Sequence, residues 1–168
     1  MKYYAVGVPV GRLNEGTERY FFRDGQLLNV NPAVFRVWIH FLHGATQESL
    51  AQSKQLSALP QNQRDRLFDQ LCQIRMLVGE DQLMRCIPQR QGYGGGFSAE
   101  KRDCRILLGA ETGVSYPSYL IWAYSDGKAT LSEIAAKLPR ELAQALTPDH
   151  IRRAVEELLR AGALLLID

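Results

Sequence analysis

The chain states one order of elements twice, and that repetition constrains its fold more than any single motif. In the first half, "ERYFFRDGQLLNV" gives two short β-rich runs around Asp24-Gly25, a hairpin signal. Asn31 and Pro32 read as the N-cap and first residue of a helix. Val34, Val37, Trp38, Phe41 and Leu42 form one apolar stripe along it, and Gly44 ends it. A weaker segment follows from Thr46 to Leu56. A longer one, "NQRDRLFDQLCQIR", is expected to bury Leu67, Phe68, Leu71 and Ile74. The strand-like "MLVGEDQLMRCI", with a turn near Gly79, closes the unit.

The second half repeats the order. "CRILLGAETGVSY" predicts a hairpin across Gly109 to Gly113, and Pro117 opens a helix carrying Leu120, Ile121, Trp122 and Tyr124 up to Asp126-Gly127. Thr130 and Glu133 have the spacing of a capping box, with Leu131, Ile134, Ala135 and Leu138 as the inner face behind them. Thr147-Pro148-Asp149 starts a third helix, and its Ile151, Ala154, Val155, Leu158 and Leu159 keep helical spacing until Gly162. "ALLLI" then reads as a buried strand. Pro32 and Pro117 are 85 residues apart, Gly44 and Gly127 83, and Leu71 and Leu158 87. Few identities survive, so the match lies in element order.

Between the copies lies "QRQGYGGGFSAEKRD", residues 89–103, whose clustered glycines predict a flexible connector. A phosphate loop would need a following Gly-Lys-Ser/Thr and a helix start, and neither is there. The expected organisation is a first domain over 1–88, the linker over 89–103 and a second domain over 104–168.

Residues 104–168 resemble the PqqD-like fold, the RiPP recognition element, on "W..YSDGKATLSEIAAKL" and "TPDHIRRAVEELLRAGALL". The match covers about 65 residues, and winged-helix repressors share parts of it. With a degenerate first copy, it implies an α+β chain of two tandem winged-helix-like domains, each a small β-hairpin or sheet with three helices. It also implies a non-catalytic adaptor, which binds the leader segment of a ribosomally made peptide and presents it to a modifying enzyme. Such a segment adds a strand to a sheet edge while an adjacent helix supplies pockets. Carried onto this sequence, the edge is Val114, Ser115 and Tyr116, facing His150, Arg153 and Glu157 over a floor of Ile151 and Val155. The connection "PRELAQALTP" is longer than the three or four residues usual in a DNA-reading helix-turn-helix, which agrees with peptide-binding relatives.

A winged-helix DNA-binding regulator is the alternative, with Arg152, Arg153 and Arg160 as contacts to bases or phosphates. Glu156 and Glu157 each lie four residues beyond an arginine, so pairing along the helix competes. Charge argues mildly against DNA. The formal net charge is +2, from 20 basic and 18 acidic side chains, and neither half is strongly basic.

Other chemistry is sparse. His40 and His43 share a helix face, but no cysteine pair at ligand spacing accompanies them, so no metal or cofactor is expected. No nucleophile-elbow, zinc-protease or dinucleotide motif points to an enzyme. Cys72, Cys86 and Cys104 are odd in number and widely spaced, and the chain has no apolar run of membrane-spanning length. The expectation is a cytoplasmic protein with a peptide or protein partner.

Overall fold

A computed structural model describes residues 1–13, 18–23, 25–138 and 146–168. The chain is α+β, with several small antiparallel sheets, and it divides into two compact units. Unit 1 is Met1–Leu83 together with the last two residues, and unit 2 is Met84–Leu166.

Unit 1 begins with β1 (Lys2–Ala5), followed by β2 (Val8–Leu13), β3 (Glu18–Arg23) and β4 (Gln26–Val30), which form an antiparallel sheet in the order β2-β3-β4. Three helices come next: α1 (Pro32–His40), α2 (Glu48–Gln52) and α3 (Gln61–Gln73). Asn31 caps α1 as expected, its side chain accepting from the Ala33 N–H at 2.7 Å. β5 (Ala45–Thr46) and β6 (Leu77–Gly79) flank β1 on either side. Phe21, Val37, Trp38, Phe41, Phe68 and Leu71 meet in the core between sheet and helices.

Unit 2 runs through the same sequence of parts. β7 (Ile87–Arg90) leads, and β8 (Tyr93–Ser98), β9 (Asp103–Leu107) and β10 (Glu111–Val114) form a sheet in the order β10-β9-β8. α4 (Tyr116–Tyr124), α5 (Leu131–Lys137) and α6 (Pro148–Arg160) follow, and β11 (Leu164–Ile167) pairs with β7. The Thr130–Glu133 capping box forms as expected. Most of "PRELAQALTP" lies outside the described residues, as does Asp24 of the first hairpin.

The correspondence extends to single hydrogen bonds. The Ala5 N–H donates to the Phe41 carbonyl at 3.1 Å, and the Arg90 N–H to that of Ser125 at 3.1 Å. Val6 donates to Met76 at 3.0 Å, and Gln91 to Ala163 at 2.8 Å. Met76 in turn donates to Leu71, and Ala163 to Leu158, each at 2.9 Å. The indole of Trp38 donates to the Val6 carbonyl at 3.0 Å, and that of Trp122 to the Gln91 carbonyl at 2.9 Å. In each unit one tryptophan on the first helix thus ties the stretch that leaves the lead strand.

This frame corrects the expected linker and the boundary at residue 88. Residues 93–98 are a sheet strand, β8, paired with β9 from Tyr93↔Leu107 to Ser98↔Asp103. The first unit closes earlier, at β6, and Ile87 already belongs to the second. Segment 89–103 therefore matches β2, whose glycine and proline likewise disguise a strand. The glycines there serve close packing and a bulge between Gly94 and Gly96 rather than flexibility. A Cβ on Gly95 would lie 2.9 Å from the Arg105 Cβ. On Gly92, at φ +79, it would lie 2.4 Å from the Leu107 carbonyl oxygen. Gly92→Ala is accordingly expected to destabilise unit 2 by about 2 kcal/mol or more, as left-handed strain adds to a backbone clash. Urea unfolding followed at Trp122 checks this; a flexible linker would give a change within about 0.5 kcal/mol.

Candidate functional site

The expected unit 2 residues gather where β10 hands over to α4 beside α6. β10 is an edge strand, bonded only to β9 among the described residues, and such an edge presents unpaired backbone groups. Ser115 and Tyr116 are exposed at its end, and Val114 is buried. His150 and Arg153 are exposed on α6. The Nδ1 of His150 lies 3.2 Å from the Thr147 N–H and completes that helix's N-terminal cap. Ile151 and Val155 do not line an open floor. Both are buried in the core of unit 2, because the apolar stripe of α6 is spent on packing.

Glu157 holds this junction together. Its Oε1 accepts the Ser115 N–H at 2.9 Å, and its Oε2 accepts the hydroxyls of Ser115 at 2.7 Å and Ser118 at 2.5 Å. Burial pushes the carboxyl pKa up, but the hydrogen bonds from Ser118 and Ser115 outweigh it and hold the group below the ordinary carboxylate value. The expected Arg153–Glu157 pairing thus gives way to contacts across elements.

The arginines of the DNA alternative are mostly engaged along their own helix. Arg152 pairs with Asp149 at 3.0 Å. Arg160 lies 3.7 Å from the Glu156 carboxylate and donates to the Glu156 carbonyl at 3.2 Å. Arg153 and Arg160 are exposed, and Arg152 is half-buried.

The matched junction in unit 1 is built differently, and sequence reasoning missed it. Val34 on α1 and Leu67, Gln70, Leu71, Gln73 and Ile74 at the end of α3 line a cavity of about 340 Å³. That is near the lower end of small-ligand pockets, which span roughly 300–1,000 Å³. Its lining begins past the end of β4 and includes no residue of that strand. Val34 is four residues beyond Val30, and the carbonyl of Ile74 accepts from Arg23, which sits in register opposite Gln26 at the other end of β4. Arg23 and Arg75 also meet the Asp168 carboxylate at 3.1 and 3.7 Å, placing charge beside Ile74. The available signal was Ile74 itself. It continues the Leu67–Leu71 stripe one turn past what the core needs and stays 51% exposed.

Neither histidine of the sequence pair is placed to share a metal. α1 stops at His40, whose Nε2 lies 2.6 Å from the Ser49 Oγ, and His43 falls in the following turn. Among the described residues no group of three or more His, Cys, Asp or Glu could hold a metal ion. All three cysteines are free, and burial pushes the Cys72 thiol up to about 11 and raises that of Cys104. No helix among the described residues is long and apolar enough to cross a membrane. Compared with family models, curated proteins and solved structures, the chain gives no match.

Proposed function

We propose that the protein is a non-catalytic adaptor that captures an extended peptide segment as an added strand. In this reading each unit is a winged-helix-like module, and the partner is a peptide or protein, such as a precursor segment handed to a modifying enzyme. The observation that carries it is the apolar cavity of unit 1 between α1 and the end of α3, in a unit whose β4 is bonded only to β3 among the described residues. An edge strand supplies backbone donors and acceptors without sequence preference, and a flanking pocket selects a side chain. Val34, Leu67, Leu71 and Ile74 suit an aliphatic or aromatic side chain, and Gln70 and Gln73 can hydrogen-bond at its rim. In unit 2 the matched position is the β10 edge with Ser115, Tyr116, His150 and Arg153.

Selection from a displayed library of random linear peptides tests this. The expected outcome is enrichment of segments with one apolar anchor. Ile74→Lys, at a half-exposed position, should weaken their binding more than about tenfold, roughly 1.4 kcal/mol, while the unfolding midpoint holds. Enrichment of nothing, or binders indifferent to Ile74→Lys, would remove the unit 1 groove from the proposal. The winged-helix DNA regulator is separated by salt. Duplex affinity carried by arginines falls steeply as salt rises, whereas capture by an apolar groove does not.

A further inference from the structure

The two units differ at the one place where the proposed capture would occur. α1 matches α4 with an offset of 84 residues, as the N-caps Asn31 and Ser115 and the tied Trp38 and Trp122 fix. α3 matches α6 with an offset of 87, since both are 13 residues long and Leu71 and Leu158 accept equivalent bonds. Under these offsets Val34 corresponds to Ser118, Leu67 to Ala154 and Gln70 to Glu157. Two of the residues that line the open cavity in unit 1, Val34 and Gln70, thus become in unit 2 a serine and a carboxylate bonded to each other at 2.5 Å.

We propose that Glu157 is a built-in latch that closes the unit 2 junction, so that of the two matched junctions only that of unit 1 is open. The inference rests on the strand-capture reading and deepens it by assigning the open site to unit 1. Three observations support it. The Ser115 N–H, the first backbone donor past β10, is directed at α6 and already used. The Ser118 side chain is fully buried, so the latch seals a position that solvent does not reach. The carboxylate is held in its charged form by its donors, which favours the closed arrangement. An incoming strand that needs the Ser115 end of β10 must displace a charge-assisted contact, whereas at β4 the matched side chain is the neutral Gln70.

The test transfers the unit 1 pair into unit 2. The double variant Ser118→Val/Glu157→Gln and the single variant Glu157→Ala are compared with the unaltered chain, with far-UV circular dichroism checking the fold. Two readouts follow: amide exchange at Ser115, and the stoichiometry of the neutral apolar dye Nile red. The expected result is that Ser115 exchange accelerates more than about tenfold in both variants. Dye stoichiometry should rise by one in the double variant, and fall by one when Ile74→Lys is added. Unchanged Ser115 exchange in a folded Glu157→Ala variant, or no added dye site in a folded double variant, would overturn the latch. If the double variant does not fold, exchange in Glu157→Ala decides alone. Neither readout uses a peptide, so failure here leaves peptide capture by unit 1 standing.

Discussion

Trp38→Ala is expected to remove about 3–5 kcal/mol from unit 1, a large share of the stability of a domain of this size. Trp38 is fully buried, with its ring 4.5 Å from that of Phe21 and 6.2 Å from that of Phe35. Its indole N–H is the bond that fastens the Val6 carbonyl to α1. Two effects therefore add: a large apolar volume is lost, and a buried acceptor is left without a donor. Trp38→Phe separates them. It keeps most of the ring packing and drops the hydrogen bond, for an expected cost of about 1–2 kcal/mol. The chain has two tryptophans, one per unit, so in either variant the remaining fluorescence comes from Trp122. Equilibrium urea unfolding followed by circular dichroism gives the loss, and Trp122 reports the unit 2 transition. Costs below about 1 kcal/mol for Trp38→Ala would mean that the ring is not packed as described.

Arg64→Ala is expected to cost about 2–4 kcal/mol, and sequence alone would not single it out. Arg64 is buried on α3, on the side facing α2. Its Nη1 donates to the carbonyls of Leu50 at 2.7 Å and Ala51 at 3.2 Å, and its Nε to that of Leu59 at 2.8 Å. Leu50 and Ala51 lie in the last turn of α2, where helix carbonyls lack intrahelical donors and carry partial negative charge. A five-residue helix has little stability of its own, so this guanidinium is what terminates α2 and joins it to α3. Removing it takes a donor from three carbonyls, of which that of Leu50 keeps only the Ser53 N–H at 3.3 Å. Arg64→Lys should recover only part of the loss, because one ammonium cannot meet three divergent carbonyls in the geometry of the planar fork. Thermal and urea unfolding monitored at Trp38 check both variants. An Arg64→Ala protein as stable as the original would contradict this role.

Arg64 also marks a position where the two copies diverge. Its matched residue in α6 is Ile151, an apolar core position, so the same place in the two helices is satisfied by hydrogen bonds in one and by packing in the other. The elements with strong local signals were legible: the Asn31-Pro32 helix start, the Thr130–Glu133 box, the spacing along α6 and the β9–β10 hairpin. β2 and β8 were not. Their glycines and Pro9 resemble loop chemistry, and only the cross-strand neighbour Arg105 reveals why a small residue is needed at Gly95. The candidate site failed to read for a similar reason. Exposed and buried members of an apolar stripe look alike in sequence, so Val155 was taken as groove and Ile74 as core. The tertiary pairing of Glu157 with two serines about 40 residues away left no local trace.

Amide hydrogen exchange across β4, with and without a peptide selected on the unaltered chain, measures the central claim most directly. Strand addition predicts slower exchange at alternate amides within Gln26–Val30, together with protection around Leu67, Leu71 and Ile74, and no change along β10. Protection confined to β10 and α6, or to neither edge, would contradict it.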